Sequence, residues 1–379
     1  MPTIGIVAGE ASGDLIASQL ISTLKRQRPD LKFIGIAGPK MLAEGAQTLF
    51  PMERLAVRGY VEVLRHYFGI LNIRRALLRY FLKNPPDLFI SIDAPDFNFG
   101  LSRKLKKHGI KTMHYVSPSI WAWRRGRIHS IAKSTDEILC LFPFEKPLYD
   151  EAGIAATYVG HPLADMIAPN QNKAQMRDEL HLNKEGLVIA LLPGSRQGEL
   201  GYMADLFIHA AQHIARDVPD TQFLVPLISR ETRAKFEEAI HRNHAEELSF
   251  KLLFGHAHMA LAAADGAIVA SGTATLEAAL LQCPMVIAYR MSSLSWMVMK
   301  HMRYLPWAGL PNILANQDLV PELIQEQATP QALAESLLTL VYDRNRVENL
   351  KKEFEKIHLN LRQNASEKAA EAVLKRLQA

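Results

Sequence analysis

Short apolar runs alternate with amphipathic stretches along almost the whole chain, and this alternation limits the fold more than any other feature. Strand-like runs occupy 3–8, 33–37, 88–92, 111–116, 137–141 and 156–159. Helical patterns fill the gaps at 13–27, 58–83, 98–108 and 124–133. A turn-rich segment at 160–172 interrupts the pattern, and a second series follows. Its strand-like runs are 187–192, 222–226, 250–254, 266–270 and 284–288, with helices near 199–216, 230–247, 256–263 and 273–281. From Gln331 to Ala379 the pattern is helical only. Strands that alternate with helices pair in parallel and bury both sheet faces. A chain of 379 residues exceeds one ordinary core. The expectation is α/β: two doubly wound Rossmann-like domains facing a cleft, with boundaries at 1–165, 166–345 and 346–379.

Composition removes several classes. Hydrophobic residues make up 48% and charged residues 22%, as in soluble globular proteins. No apolar run approaches the ~18–20 residues of a membrane span. Met1-Pro2-Thr3-Ile4 enters a strand directly, without the basic start of a signal peptide. Cys140 and Cys283 sit in strand-like runs and read as reduced core residues. No Cys/His spacing indicates zinc. Residues 1–165 hold 22 Lys+Arg against 15 Asp+Glu, a net +7, and the remainder holds 22 against 24, a net −2. A basic N-terminal half suits an anionic partner.

Four strand-to-helix turns carry the chemistry. Gly9-Glu10-Ala11-Ser12-Gly13-Asp14 follows the run 4–8, and Ile92-Asp93-Ala94-Pro95-Asp96-Phe97-Asn98 follows 88–90. Ligands of open α/β sheets bind where strands end and such loops begin. Asp93, at the end of an apolar strand, is a candidate general base, since desolvation raises a carboxyl and nearby cations lower it. It could instead cap the next helix, a role for which Asp96 and Asn98 are better placed. Pro193-Gly194-Ser195-Arg196 offers free N–H groups and a guanidinium to a phosphate; it could equally be an ordinary turn with a solvated Arg. Ser271-Gly272-Thr273-Ala274-Thr275-Leu276-Glu277 places small residues at a helix start and an acid one turn in. Glu277 there can accept two bonds from vicinal ribose hydroxyls, or simply favour the helix. Neither turn is a Walker loop, and Gly5, Gly9 and Gly13 do not form the dinucleotide fingerprint. The acids of 93–96 are three apart, so an Asp-x-Asp metal bridge to a diphosphate is not expected, and no cofactor or metal is.

Residues 58–83 interleave Tyr60, Val63, Leu64, Tyr67, Ile70, Leu71, Leu77, Leu78 and Phe81 with Arg65, Arg74, Arg75 and Arg79. The pattern fits an interfacial helix over anionic lipid and fits equally a core-facing helix with a basic outer side. Ser119-Ile120-Trp121-Ala122-Trp123-Arg124-Arg125 adds aromatic and basic groups of the kind found at interfaces. No nucleic-acid recognition module is visible, and no nucleic-acid partner is expected.

Taken together, these segments resemble the lipid-A-disaccharide synthases, Gram-negative glycosyltransferases of GT-B fold. The matching motifs are Gly-Glu-Ala-Ser-Gly-Asp at 9–14, Ala-Gly-Pro at 37–39, Ile-Asp-Ala-Pro-Asp-Phe-Asn at 92–98 and His-Tyr-Val-Ser-Pro-Ser-Ile-Trp-Ala-Trp-Arg at 114–124. Leu-Pro-Gly-Ser-Arg at 192–196, Ala-Ser-Gly-Thr-Ala at 270–274, Cys-Pro-Met-Val at 283–286 and Leu-Pro-Asn at 310–312 complete them in order. One departure is Gly309, where the family pattern has Ser. The resemblance implies inverting transfer of 2,3-diacylglucosamine from UDP to 2,3-diacylglucosamine 1-phosphate (lipid X). It implies Asp93 as base, Arg196 on the diphosphate, Glu277 on the ribose and an essential Asn312. It places Glu10, Ser12, Gly13, Ser117, Gly194, Ser195, Ser271, Gly272 and Thr273 at the substrates. By the same resemblance, residues 1–165 bind acceptor and face the membrane, 166–345 bind the UDP-sugar, and 346–379 return toward the first domain. Work at the cytoplasmic face of the inner membrane is implied, and homodimers occur in the family. Two rivals stay open. A nucleotide-sugar epimerase would have no use for 58–83, and a sugar-nucleotide binding module would have none for Asp93.

Overall fold

A computed structural model describes residues 1–55, 60–169, 171–183, 185–195, 197–302 and 304–378; at 60–67, 197, 294, 298 and 301 it describes the main chain alone. The chain forms two compact units. The first joins Met1–Asp165 to the segment from Leu361 onward, and the second is Met166–Asn360. The expected boundary at 346 falls inside the helix Arg344–Leu361, whose final residue belongs with the first unit.

The first unit holds a seven-stranded parallel sheet in the order β3-β2-β1-β4-β5-β6-β7. Its strands are β1 Thr3–Val7, β2 Lys32–Ile36, β3 Gln47–Thr48, β4 Leu88–Ser91, β5 Thr112–Tyr115, β6 Glu137–Cys140 and β7 Ala156–Tyr158. Helices cover both faces of the central strands, so every residue of β4 and β5 is buried, including the polar Ser91, Thr112 and His114. The second unit holds a six-stranded parallel sheet, β10-β9-β8-β11-β12-β13. These strands are β8 Val188–Leu192, β9 Gln222–Leu227, β10 Ser249–Phe254, β11 Gly266–Ala270, β12 Met285–Tyr289 and β13 Glu322–Ile324. The edge strands β3 and β13 were not expected from sequence. They are two and three residues long, and no residue in either is fully buried.

Both cysteines are free and buried. The helix Tyr60–Lys83 turns Ile73, Leu77 and Phe81 into the core, four residues apart, with Leu77 and Phe81 fully buried. Phe81 meets Phe89 of β4 edge-on at 5.6 Å. Arg75, Arg79 and Leu82 are exposed, and Phe68 is 74% exposed. Over 68–83 the helix is therefore core-facing with a basic outer side. Arg58 and the side chains of Tyr60, Val63, Leu64, Arg65 and Tyr67 lie outside the described residues. No helix among the described residues is long and apolar enough to cross a membrane.

The C-terminal segment is tied into the first unit by specific bonds. The main-chain N–H groups of Asn364 and Ala365 donate to the Asp165 carboxylate at 2.9 and 2.6 Å. Arg376 pairs with Glu137 at 2.8 Å, with both side chains mostly buried.

Candidate active site

A doubly wound sheet opens a crevice where its strand order reverses. In the first unit that point lies between β1 and β4, paired in parallel from Ile4↔Leu88 to Val7↔Ser91. The loops leaving these strands are the two acidic turns, and they meet. The Gly9 N–H donates to Asp93 Oδ1 at 2.6 Å. Gly13, in the first turn of the helix Ala11–Gln27, lies beneath the same carboxylate. Asp93 is half-buried, and Ala94 beside it holds a left-handed conformation at φ 44°, which costs a non-glycine residue energy.

The surrounding residues have other duties. Neither Asp96 nor Asn98 caps the following helix, Pro95–Lys107, contrary to expectation. Asp96 reaches out to an ion pair with Arg127. Asn98 is fully buried and donates to the Asp93 carbonyl at 2.5 Å, which fixes the turn from inside. Asp14 is buried and accepts from the Lys40 and Met41 N–H groups at 2.9 and 3.0 Å, so it caps the helix Pro39–Ala43. Ser12 is exposed and Glu10 half-buried at the rim. Ser117, by contrast, is buried and bonded to the Tyr149 hydroxyl at 2.8 Å.

That bond belongs to a buried cluster with no signature in the sequence. Glu145 accepts from the Leu141 and Phe142 N–H groups at 3.0 and 2.9 Å and from Trp121 Nε1 at 3.1 Å. Burial pushes its carboxyl up to about 8, against those donors. Glu145 and the Phe144 ring, edge-on to Trp121 at 5.1 Å, anchor the Ser-Pro-Ser-Ile-Trp loop.

In the second unit the strand order reverses between β8 and β11, paired from Gly266↔Ile189 to Val269↔Leu192. The turns at 193–195 and 271–273 leave these two strands and border one cavity of about 370 Å³. Gly194, Ser195, Ser271, Gly272, Thr273 and Glu277 all line it, so six residues singled out from sequence meet at one place. Gly272 has φ 153°, a conformation glycine adopts without penalty, and Thr273 starts an exposed helix N-terminus there. Ser271 Oγ donates to the Ala308 carbonyl at 3.1 Å. Arg196 lies outside the described residues.

Glu277 has a partner that the sequence did not reveal. His258 Nε2 lies 3.2 Å from Glu277 Oε2, and this carboxylate raises the imidazole above its ordinary 6.5. The pair forms because the helices Ala257–Ala263 and Thr273–Leu280 present these residues to each other.

Asn312 stands apart from the cavity walls. It is fully buried, and all its hydrogen-bonding capacity is used. Its amide donates to the Val320 carbonyl and to Glu322 Oε1, both at 2.9 Å. Its oxygen accepts from the Leu319 and Val320 N–H groups, also at 2.9 Å. Glu322 in turn accepts from the Ala308 and Gly309 N–H groups at 2.8 and 2.9 Å. Asn312 thus holds the 308–322 loop, whose Ala308 carbonyl binds Ser271.

Two parallel Rossmann-like sheets, each with its turns gathered at the strand reversal, define the architecture of nucleotide-sugar enzymes of the GT-B type. Solved structures bear this out at the level of fold. UDP-GlcNAc 2-epimerase from Neisseria meningitidis, bound to UDP-GlcNAc, superposes with a TM-score of 0.70 at 14% identity over 99% of this chain and 100% of that one. A glycosyltransferase from Rickettsia africae gives 0.61 at 13% identity, covering 100% and 98%. The family follows from sequence. Residues 4–376 match the model of lipid-A-disaccharide synthetase. The lipid-A-disaccharide synthase of Methylobacillus flagellatus is 59% identical over 374 residues, 99% of each chain. That of Dechloromonas aromatica is 53% identical, covering 98% of this chain and 97% of its own. The chain belongs to the lipid-A-disaccharide synthase family, glycosyltransferases of lipid A biosynthesis.

Proposed function

We propose that this chain moves 2,3-diacylglucosamine from UDP to the 6-hydroxyl of lipid X, forming the β-1,6 disaccharide 1-phosphate and UDP. Family membership supports the reaction class, and the Asp93 site is the observation that carries the mechanism. A carboxylate bonded by the Gly9 N–H at the end of a parallel strand, over Gly13, is fixed in position where the two acidic turns meet. It takes the proton of the acceptor hydroxyl as that oxygen attacks C1 opposite UDP. One displacement through an oxocarbenium-like state inverts the anomeric centre, as in one-step glycosidases, and needs no second carboxylate.

The second unit takes UDP. The N–H groups at Gly272 and Thr273 meet the departing diphosphate charge, aided by the helix dipole. By family resemblance Arg196 adds a cation. Glu277, steadied by His258, binds the ribose hydroxyls. Asn312 acts as a positioning residue through its loop. The acylated substrates put the reaction at the cytoplasmic face of the inner membrane, with Phe68, Arg75, Arg79 and Leu82 as the first unit's contact.

The test is UDP release from wild type and Asp93→Asn, with and without lipid X. Release is expected only with the acceptor, and the variant should lose about 10²–10⁴-fold, as for a positioned base. UDP affinity by calorimetry should stay unchanged. A variant keeping more than a tenth of the rate removes Asp93 as base. Epimerisation of UDP-GlcNAc without acceptor would favour the epimerase reading.

A further inference from the structure

The loop that follows β5 is strained and held at both ends. It leaves the sheet beside the Asp93 loop, because β4 and β5 pair in parallel up to Ser91↔His114. Val116 at its entry has φ 77°, and Arg124 further along has φ 57°. Such left-handed conformations are costly for residues other than glycine, most of all for a β-branched valine, and persist where the surroundings impose them. Two anchors do so here. Trp121 donates to the buried Glu145 at 3.1 Å and meets the Phe144 ring edge-on. At the far end Arg127 pairs with Asp96, three residues after Asp93.

Between the anchors, Trp123 is half-buried and Arg124 exposed. The Arg124 guanidinium lies over Trp123, 4.3 Å from the ring centroid. Stacking of this kind fixes the plane of the guanidinium and leaves its N–H edge to an oxyanion. Asp96 and Glu145, the acids that hold the loop, are taken by Arg127 and by Trp121 with two main-chain N–H groups. Among the described residues no carboxylate pairs with Arg124.

We propose that Arg124, oriented by Trp123, binds the 1-phosphate of the acceptor sugar. In 2,3-diacylglucosamine 1-phosphate, the phosphate and the 6-hydroxymethyl group leave carbons on either side of the ring oxygen. A sugar whose 6-hydroxyl meets Asp93 therefore carries its phosphate toward a neighbouring loop. Two loops flank that of Asp93, because β1 and β5 flank β4. The one after β1, at 9–14, has Glu10 and Asp14 and no basic residue. The one after β5 offers Arg124. The inference rests on the acceptor reading above and adds the residue that recognises the acceptor's charge.

Transfer in neutral detergent to lipid X and to 2,3-diacylglucosamine, which lacks the phosphate, tests it. Wild type should prefer lipid X in kcat/KM by about tenfold or more, the scale of a charge-assisted contact. Arg124→Ala should lose most of that preference through a raised KM for lipid X, with the KM for the UDP-sugar unmoved and a melting curve like wild type. Arg124→Lys should recover part of it. An unchanged preference in Arg124→Ala overturns the proposal. An equal loss on both acceptors also overturns it and makes Arg124 a support of the loop. A raised KM for the UDP-sugar overturns it in favour of the diphosphate, and a defect confined to anionic vesicles overturns it in favour of phospholipid headgroups. If wild type uses both acceptors equally, only this proposal fails; if it uses neither, the transferase reading fails and the proposal with it.

Discussion

Gly13 lies so close to Asp93 that a Cβ built on it would stand 2.1 Å from Asp93 Oδ2. Within a helix, alanine normally stabilises over glycine by roughly 0.5–1 kcal/mol. Here the methyl group displaces the carboxylate instead. Gly13→Ala should keep a folded protein while lowering transfer by about 10²-fold, the scale of a 1 Å misplacement. Steady-state rates beside a melting curve check it. Unchanged transfer would mean that Asp93 moves without consequence and is not the base.

The His258–Glu277 pair gives a pH signature. His258 titrates above 6.5 because Glu277 is beside it. Its contribution to stability is full below 6.5 and is lost as pH rises through the higher folded value. Glu277→Gln should bring the His258 titration, followed by NMR, back toward 6.5 and weaken UDP binding. An unmoved titration would deny the pairing. A moved titration with intact UDP affinity would leave Glu277 a structural residue.

Asn312 should behave as a structural residue with catalytic consequences. Asn312→Ala removes the partners of the buried Val320 N–H and carbonyl, while the Leu319 N–H keeps the Gln317 carbonyl and Glu322 keeps the Ala308 and Gly309 N–H groups. Each group left alone costs about 1–3 kcal/mol. Denaturant unfolding should show this loss, alongside slower transfer. Full stability with lost turnover would instead place the amide on a substrate.

The helix Tyr60–Lys83 separates core from surface. Leu77→Ala should destabilise the protein by about 2–5 kcal/mol, the usual range for a buried leucine. Arg75→Glu with Arg79→Glu should leave the melting temperature nearly unchanged but weaken binding to anionic liposomes, at about 1 kcal/mol per basic residue. Added salt should weaken wild-type binding in the same direction. A double variant that binds as wild type moves the first unit's contact elsewhere.

Strands buried on both faces announce themselves as unbroken apolar runs, which is why β1, β4, β8 and β11 were legible. β3 and β13 were not, because short half-exposed edges carry no such run. Turns that end strands were equally legible, since their Gly, Ser and Asp stand out after apolar residues. What these residues bond to was not. Asp14 caps a helix 26 residues onward, and Glu277 meets a histidine on another helix. Asn312 shows the limit of resemblance, because its motif marks importance but not which atoms it touches. The loop after β4 misled in the opposite way: Asp96 and Asn98 have the side chains of helix caps, yet an ion pair and a buried carbonyl claim them.

The return of the chain to its first unit has a consequence for synthesis. Domains generally fold as units, N-terminal first, as they leave the ribosome. Here the Asp165 carboxylate waits for Asn364 and Ala365, and Glu137 waits for Arg376. The first unit begins earliest and is completed last, after all of the second has emerged. Until then the side of the helix Ala11–Gln27 that receives the C-terminal helix Ala365–Gln378 is uncovered. A chain interrupted before Asn364 would therefore carry a finished second unit and an open first one.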